Sequence, residues 1–411
     1  MSHSARYWLL LAVSTLGYRL TDAIGTVFLI ELGLDYRTIG VFFSVLLACM
    51  ALTGGPAGAF ADLYGRRRAF VLGSLLVGFA FAGRALSHSI PFHFTMACVV
   101  GIGAALNVAP LQAWAVDGLA DPDEGARRRL LTTGATMTKL LTLLGGSLLF
   151  IVRVQSYRLV YLVSGVILFV SAAIGLVMMR PDPRPARTRP AGAPDSAIPA
   201  LNGEPRASTG RTPVRRRTTV LTMLTGYVTA LYLLISLFTF AWQPRLVGLG
   251  LGSHQLPLAL GVFSACEAAA SWAVGTHRAA RNTYVIVLIV PMLAAMGLLV
   301  GCGARAAPLA YAGFCIYSGA NATLLVLYEI LINEALDRQW RATLLGASRS
   351  FALMACVVSQ PLLGALVESA GAFAAGLLSV ALCALLVPAG VYIHAMRAAY
   401  RAESTPVAGQ T

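Results

Sequence analysis

Twelve apolar runs, each close to 20 residues long and divided by polar connections, leave this chain few ways to fold. A helix crossing the hydrocarbon of a bilayer needs about 20 mainly apolar residues at 1.5 Å each. The runs fall at roughly 7–30, 38–61, 69–87, 92–116, 130–151, 157–179, 219–243, 255–276, 283–303, 307–331, 342–366 and 371–396. Hydrophobic residues make up 57% of the 411, more apolar surface than one soluble domain could bury, and charged residues only 12%. In lipid, every backbone N–H and C=O must be satisfied within its own segment, so the runs predict an all-α integral membrane fold. The first run follows Arg6 and imitates the charged start of a signal peptide. It is too long for a signal core and has no small-residue cleavage pattern, so it reads as the first span.

A net charge of +14 would suggest nucleic acid as the partner of a soluble protein. The positions of the arginines give a different meaning. Arg6, Arg66 to Arg68, Arg127 to Arg129, nine between Arg180 and Arg217, Arg278, Arg281, Arg338, Arg341, Arg397 and Arg401 fall on one side, 22 in all. The opposite connections hold six: Arg37, Arg84, Arg153, Arg158, Arg245 and Arg305. Basic excess marks cytoplasmic loops, which predicts a multi-pass protein of the cell membrane with both termini inside. Anionic lipid headgroups are then the partners of the excess charge, and nucleic acid is not.

Pro181 to Thr218, rich in Pro, Arg, Ala, Gly and Thr, cannot build a packed core and reads as a disordered cytoplasmic linker. It separates two six-helix bundles, 1–180 and 219–396, with a cytoplasmic tail at 397–411. The halves are related. An offset of 212 residues carries Asp117 onto Glu329, Arg129 onto Arg341, Gly134 onto Gly346 and Ala135 onto Ala347. A direct six-helix repeat implies an axis along the membrane normal and a central cavity between the halves. Seven scattered cysteines with no C-x-x-C pair read as small buried thiols, and no metal or cofactor motif occurs.

Between the second and third runs stands Gly58-Ala-Phe-Ala-Asp62-Leu-Tyr-Gly65-Arg66-Arg67-Arg68. Gly58 allows close helix approach, Gly65 a tight turn, and the arginines an anchor at the headgroups. The segment resembles the G-x-x-x-D-(R/K)-x-G-(R/K)-(R/K) signature of the major facilitator superfamily. The twelve spans, the repeat and the long central loop extend that likeness over the whole chain. The resemblance implies a monomeric carrier of a small-molecule substrate, with Gly58, Asp62, Gly65, Arg66 and Arg67 in a cytoplasmic latch and Arg68 beside them. Leu63 replaces a basic residue of the pattern, which removes one expected ion pair. Gly275-Thr-His277-Arg278-Ala-Ala-Arg281 is the second-half counterpart, without the acid. Trp242-Gln243-Pro244-Arg245 and Ala113-Trp114-Ala-Val-Asp117 resemble a bacterial branch of the family with many presumed exporters.

Ionisable residues inside a membrane are costly unless paired or wet, so each is a functional candidate. Arg19 and Asp22 share a helix face at i, i+3, roughly 20 and 24 Å beyond Arg6. Lys139, the only lysine, lies about 15 Å past Arg129 and either titrates or neutralises a carboxylate. Arg349 suits an anionic group, and Glu267 is the second-half candidate for protonation. The resemblance assigns Asp117 and Glu329 to gate salt bridges with Arg129 and Arg341. No Walker loop occurs, which points to an ion gradient, with protons exchanged at a carboxylate. The chain lacks the G-P-x-x-G-G pattern of drug antiporters and the P-E-S-P-R pattern of sugar porters. Thirty arginines to one lysine suggest a GC-rich, bacterial genome. The reading favours efflux of a small amphipathic compound, with import of a metabolite as the alternative. A lipid-modifying membrane enzyme lacks its catalytic cluster, since Asp117, Asp121, Asp123 and Glu124 have the wrong spacing. A transporter-derived receptor is the other rival.

Overall fold

A computed structural model of the protein describes residues 3–118, 124–152, 156–179, 214–275, 283–335 and 341–404. Among them every extended element is a helix, as a lipid-embedded chain requires. The first span is His3–Asp22 followed by Gly25–Glu31, and the second is Tyr36–Tyr64. Arg66–Leu86, Ile90–Asp117, Glu124–Val152 and Tyr157–Met178 complete the first half. The second half holds Val214–Gly248, Leu256–Gly275, Thr283–Gly303 and Ala307–Ala335 as the seventh to tenth spans. Arg341–Ser404 supplies the last two, divided at Gly371, whose φ of 75° and ψ of 174° suit glycine and mark the boundary expected from sequence. Eight of the described helices are long and apolar enough to cross a membrane, and the twelve crossings agree with the twelve runs. The seventh helix starts at Val214, inside the stretch expected as linker, and the last continues to Ser404, inside the expected tail.

Successive helices alternate in direction, which gives the molecule two faces. The linker face is where Met179 leaves and Val214 returns; the far face carries the connections around residues 33, 88, 250 and 305. Local chemistry sets the ends of the helices. Asp35 caps the second span by accepting from the Thr38 N–H at 2.8 Å, which holds its carboxyl below the ordinary range. Gly65, at φ 95°, ends that span on the linker face, where Arg67 donates to the Leu176 carbonyl of the sixth. On the far face Arg158 donates to the carbonyls of Ala85 and Ser87, closing the end of the third span.

Within the first bundle a buried polar chain ties three spans together. Ser14 donates to Asn107 at 3.1 Å, and Asn107 donates to Ser74 at 2.6 Å. Net stabilisation of about 1 kcal/mol per bond is typical, and either partner alone would be an unsatisfied group in an apolar interior. Arg84 corrects the arginine census. It is not a loop anchor but a buried side chain of the third span, 4% exposed. Its guanidinium lies 4.4 Å from the Tyr161 ring centroid, 4.9 Å from Phe42 and 5.7 Å from Phe28. Ring quadrupoles from three spans thus replace the water the cation gives up.

Candidate functional site

Among the described residues the two bundles meet along three main seams in the far half of the molecule. The second span packs on the eleventh, where Gly40 lies against the backbone of Gln360 and Pro361, and Gly364 against Tyr36. A side chain at Gly40 would collide with that backbone, so the close approach demands glycine. Ser44 donates to the Val357 carbonyl at 2.6 Å, and the Arg37 N–H to Glu368 at 3.3 Å. The fifth span packs on the eighth in the same manner: Gly146 lies against the Pro257 carbonyl, and Gly261 against Leu143. Phe43 and Phe240 cross the interface edge to face at 5.9 Å.

These seams expose the repeat in the register of contacts. Gly40 with Gln360 corresponds to Pro257 with Gly146, and Ser44 with Val357 corresponds to Gly261 with Leu143. Equivalent residues of the second and eighth spans therefore differ by 217, as do Gly58 and Gly275. The fourth and tenth helices begin at Ile90 and Ala307, the same interval apart. The 212-residue offset read around the following loops does not hold along these spans.

The third seam is built on a defect. The first span is not the continuous helix expected over 7–30, because helical geometry fails at Ala23 and Ile24. An interruption frees backbone groups that a membrane cannot leave unpaired. Gln243 of the seventh span satisfies two of them from the other bundle. Its Nε2 donates to the Asp22 carbonyl at 3.1 Å, and its Oε1 accepts from the Val27 N–H at 3.2 Å. The side-chain amide thus stands in for a turn of helix. The sequence placed Gln243 in a short motif without a role.

Beside this junction, Arg19 donates to Asp22 at 2.9 Å, the i, i+3 pair expected from sequence, with both side chains partly exposed. Lys139 and Glu267, read separately from sequence, pair with each other across the bundles. They lie on the seam of the fifth and eighth spans at mid-depth, nearer the linker face than Gly146 and Pro257. Their side chains are 34% and 19% exposed, so the pair faces space rather than packed protein. A single buried partner left alone would cost several kcal/mol, and the partial exposure here reduces that figure.

Toward the linker face the second span loses these contacts. Gly54, Gly55 and Gly58 have open space where a Cβ would point, and Leu52, Asp62 and Leu63 are exposed. Arg66 and Arg67 are half-buried and Arg68 exposed. The side chains of Asp117, Arg129, Glu329, Arg341 and Arg349 lie outside the described residues. A cavity of about 340 Å³ sits at the far face, lined by Phe150, Leu258, Ala259, Pro308 and Tyr311 among others. Its wall is mainly apolar, Gln255 and Tyr311 aside, and includes none of the paired charges, so the charged junction is the better candidate for chemistry.

Two six-helix bundles closed at one face, with paired charges at mid-depth between them, define a membrane transport protein of the secondary type. The sequence matches the family model of the Major Facilitator Superfamily over residues 7–359, and the chain belongs to that family. A bacterial homologue of the human lysosomal transporter Spinster, inward-facing and unoccupied, is similar with a TM-score of 0.68 at 15% identity over 97% of this chain and 95% of that one. Its occupied form gives 0.69 at 14%, over 96% of each. The human organic anion transporter MFSD10 (TETRAN) gives 0.63 at 18%, over 95% of this chain and 98% of that one. At such identities the likeness is one of fold. No match was found among curated proteins.

Proposed function

We propose that this transporter exports a small amphipathic compound across the cytoplasmic membrane in exchange for protons, working as a monomer with both termini inside. With the basic loops in the cytoplasm, the linker face is the inner one, and the closed far face makes this the inward-open state. The observation that carries the reading is the pair formed by Lys139 and Glu267 across the bundles. Glu267 is the carboxylate that takes the proton. It takes the proton from the outer side; release of that proton to the cytoplasm restores the pair with Lys139 and closes the far seam, and a solute that competes for the pair loosens the seam for the outward step. Arg19 and Asp22, beside the break in the first span, contact the solute, and Gln243 reaches the Asp22 carbonyl from the opposite bundle.

Gly58, Asp62 and Gly65, with Arg66 to Arg68, close the inner side in the other state. Asp117 with Arg129 and Glu329 with Arg341 act there as gate ion pairs, and the fixed positive charge of Arg349 takes an anionic group. Accumulation of antibiotics, dyes and metabolites in cells expressing the wild type or Glu267→Gln, with and without a protonophore, tests this. Lower accumulation in wild-type cells, abolished by the protonophore and by the variant, supports it. Equal accumulation of every compound in all conditions refutes proton-driven efflux.

A further inference from the structure

Four of the seven cysteines are not isolated thiols but two pairs. Cys49 of the second span and Cys98 of the fourth are neighbours across the contact of their helices, as are Cys266 of the eighth and Cys315 of the tenth. None of the four is fully buried. In both halves a glycine stands one turn past the second cysteine, at the point where the two helices touch. A Cβ on Gly101 would stand 2.8 Å from the Cys49 Cβ, and one on Gly319 would stand 3.6 Å from the Cys266 carbonyl. Cys49 and Cys266 differ by 217 positions, and so do Cys98 and Cys315. That is the offset relating Gly40 to Pro257 and Gly58 to Gly275, so the two pairs occupy equivalent places in the two bundles.

We propose that each pair is a dithiol site that captures a thiophilic centre forming a neutral bis-thiolate, either a trivalent organoarsenical or a two-coordinate divalent soft metal ion. Charge selects this class. An arsenic(III) oxide R–As=O and two thiols give R–As(S)₂ and water: two As–S bonds form, the oxygen leaves with both thiol protons, and no electrons are transferred. A mercuric ion likewise displaces two protons and leaves no net charge. A monovalent soft ion would leave a negative charge on the two thiolates within the membrane, where charge is costly. Zinc in a structural site requires four ligands, and among the described residues no group of three or more ligating side chains exists. Soft thiolates prefer soft centres, so two thiols held side by side favour a chelated centre over single-thiol adducts.

The test uses purified full-length protein, phenylarsine oxide alone as probe, and intact mass measurement. Wild type is expected to bind two phenylarsenic units, each adding its mass less two protons. Cys49→Ser and Cys315→Ser should each bind one, and the double variant none. Replacing Cys302, Cys356 and Cys383 with Ser should leave both. A dithiol such as dimercaptopropanol should strip the adducts where an equal concentration of monothiol does not. In each single variant the untouched pair reports that the protein is still folded. No unit on the wild type, or undiminished binding in the double variant, overturns the proposal.

Discussion

Lys139 of the fifth span and Glu267 of the eighth form an ion pair that joins the two bundles at mid-depth. Neutralising one partner leaves the other charge unpaired, whereas neutralising both leaves none. Lys139→Met and Glu267→Gln should therefore each reduce transport at least about tenfold and lower the melting temperature. The double variant should recover most of the stability and little of the transport. Thermal denaturation in detergent beside solute flux in liposomes separates the two effects.

Gln243 holds the interrupted first span from the opposite bundle through two hydrogen bonds, to the Asp22 carbonyl and from the Val27 N–H. Each is worth about 0.5–1.5 kcal/mol net, so Gln243→Leu should weaken far-face closure by about 1–3 kcal/mol. That corresponds to roughly a 5- to 150-fold change in the open-to-closed ratio. Labelling of a cysteine placed at Arg37 with a membrane-impermeant maleimide should quicken accordingly.

Glycines separate the two gates. Gly40 and Gly146 abut backbone of the other bundle, so Gly40→Leu or Gly146→Leu should force the far face apart and speed labelling at the same Arg37 position. Gly58 has open space, so Gly58→Leu should fold normally with an unchanged far face. It should nonetheless stop transport, because the added side chain blocks closure of the linker face. Loss of folding in Gly58→Leu would contradict this.

Much of this arrangement was legible in the sequence. Hydrophobic length set the number of crossings, and the buried charges singled out by depth, Arg19, Asp22, Lys139 and Glu267, form two ion pairs. Helix spacing revealed the contact of Arg19 with Asp22, because i, i+3 residues share one helix face within reach of each other. No local pattern could link Lys139 to Glu267 across 128 positions, since that pairing depends on how two bundles pack. Gln243 was illegible for a related reason: its role answers a break in another helix, and Ala23 and Ile24 carry no breaker signal. Arg84 misled the census because an arginine near a helix end looks alike whether it reaches water or three aromatic rings.

Asp35 gives the fold a modest pH dependence. Its cap on the second span, made to the Thr38 N–H, lowers the folded-state pKa, so its stabilisation is present above the unfolded value and fades as pH falls through the folded one. Asp35→Ala should melt below the wild type at neutral pH, and the gap should shrink at pH values below the ordinary carboxylate range.

Transport by this protein requires one bundle to rock against the other. Spin labels at Arg37 and Glu368 report the far seam, and labels at Ala59 and Trp272 report the linker half, on a background without native cysteines. Pulsed dipolar spectroscopy in liposomes should find the first pair close and the second wide, with the two distances changing in opposite directions on acidification or on addition of a transported compound. Distances that stay fixed, or that widen together, would contradict alternating access.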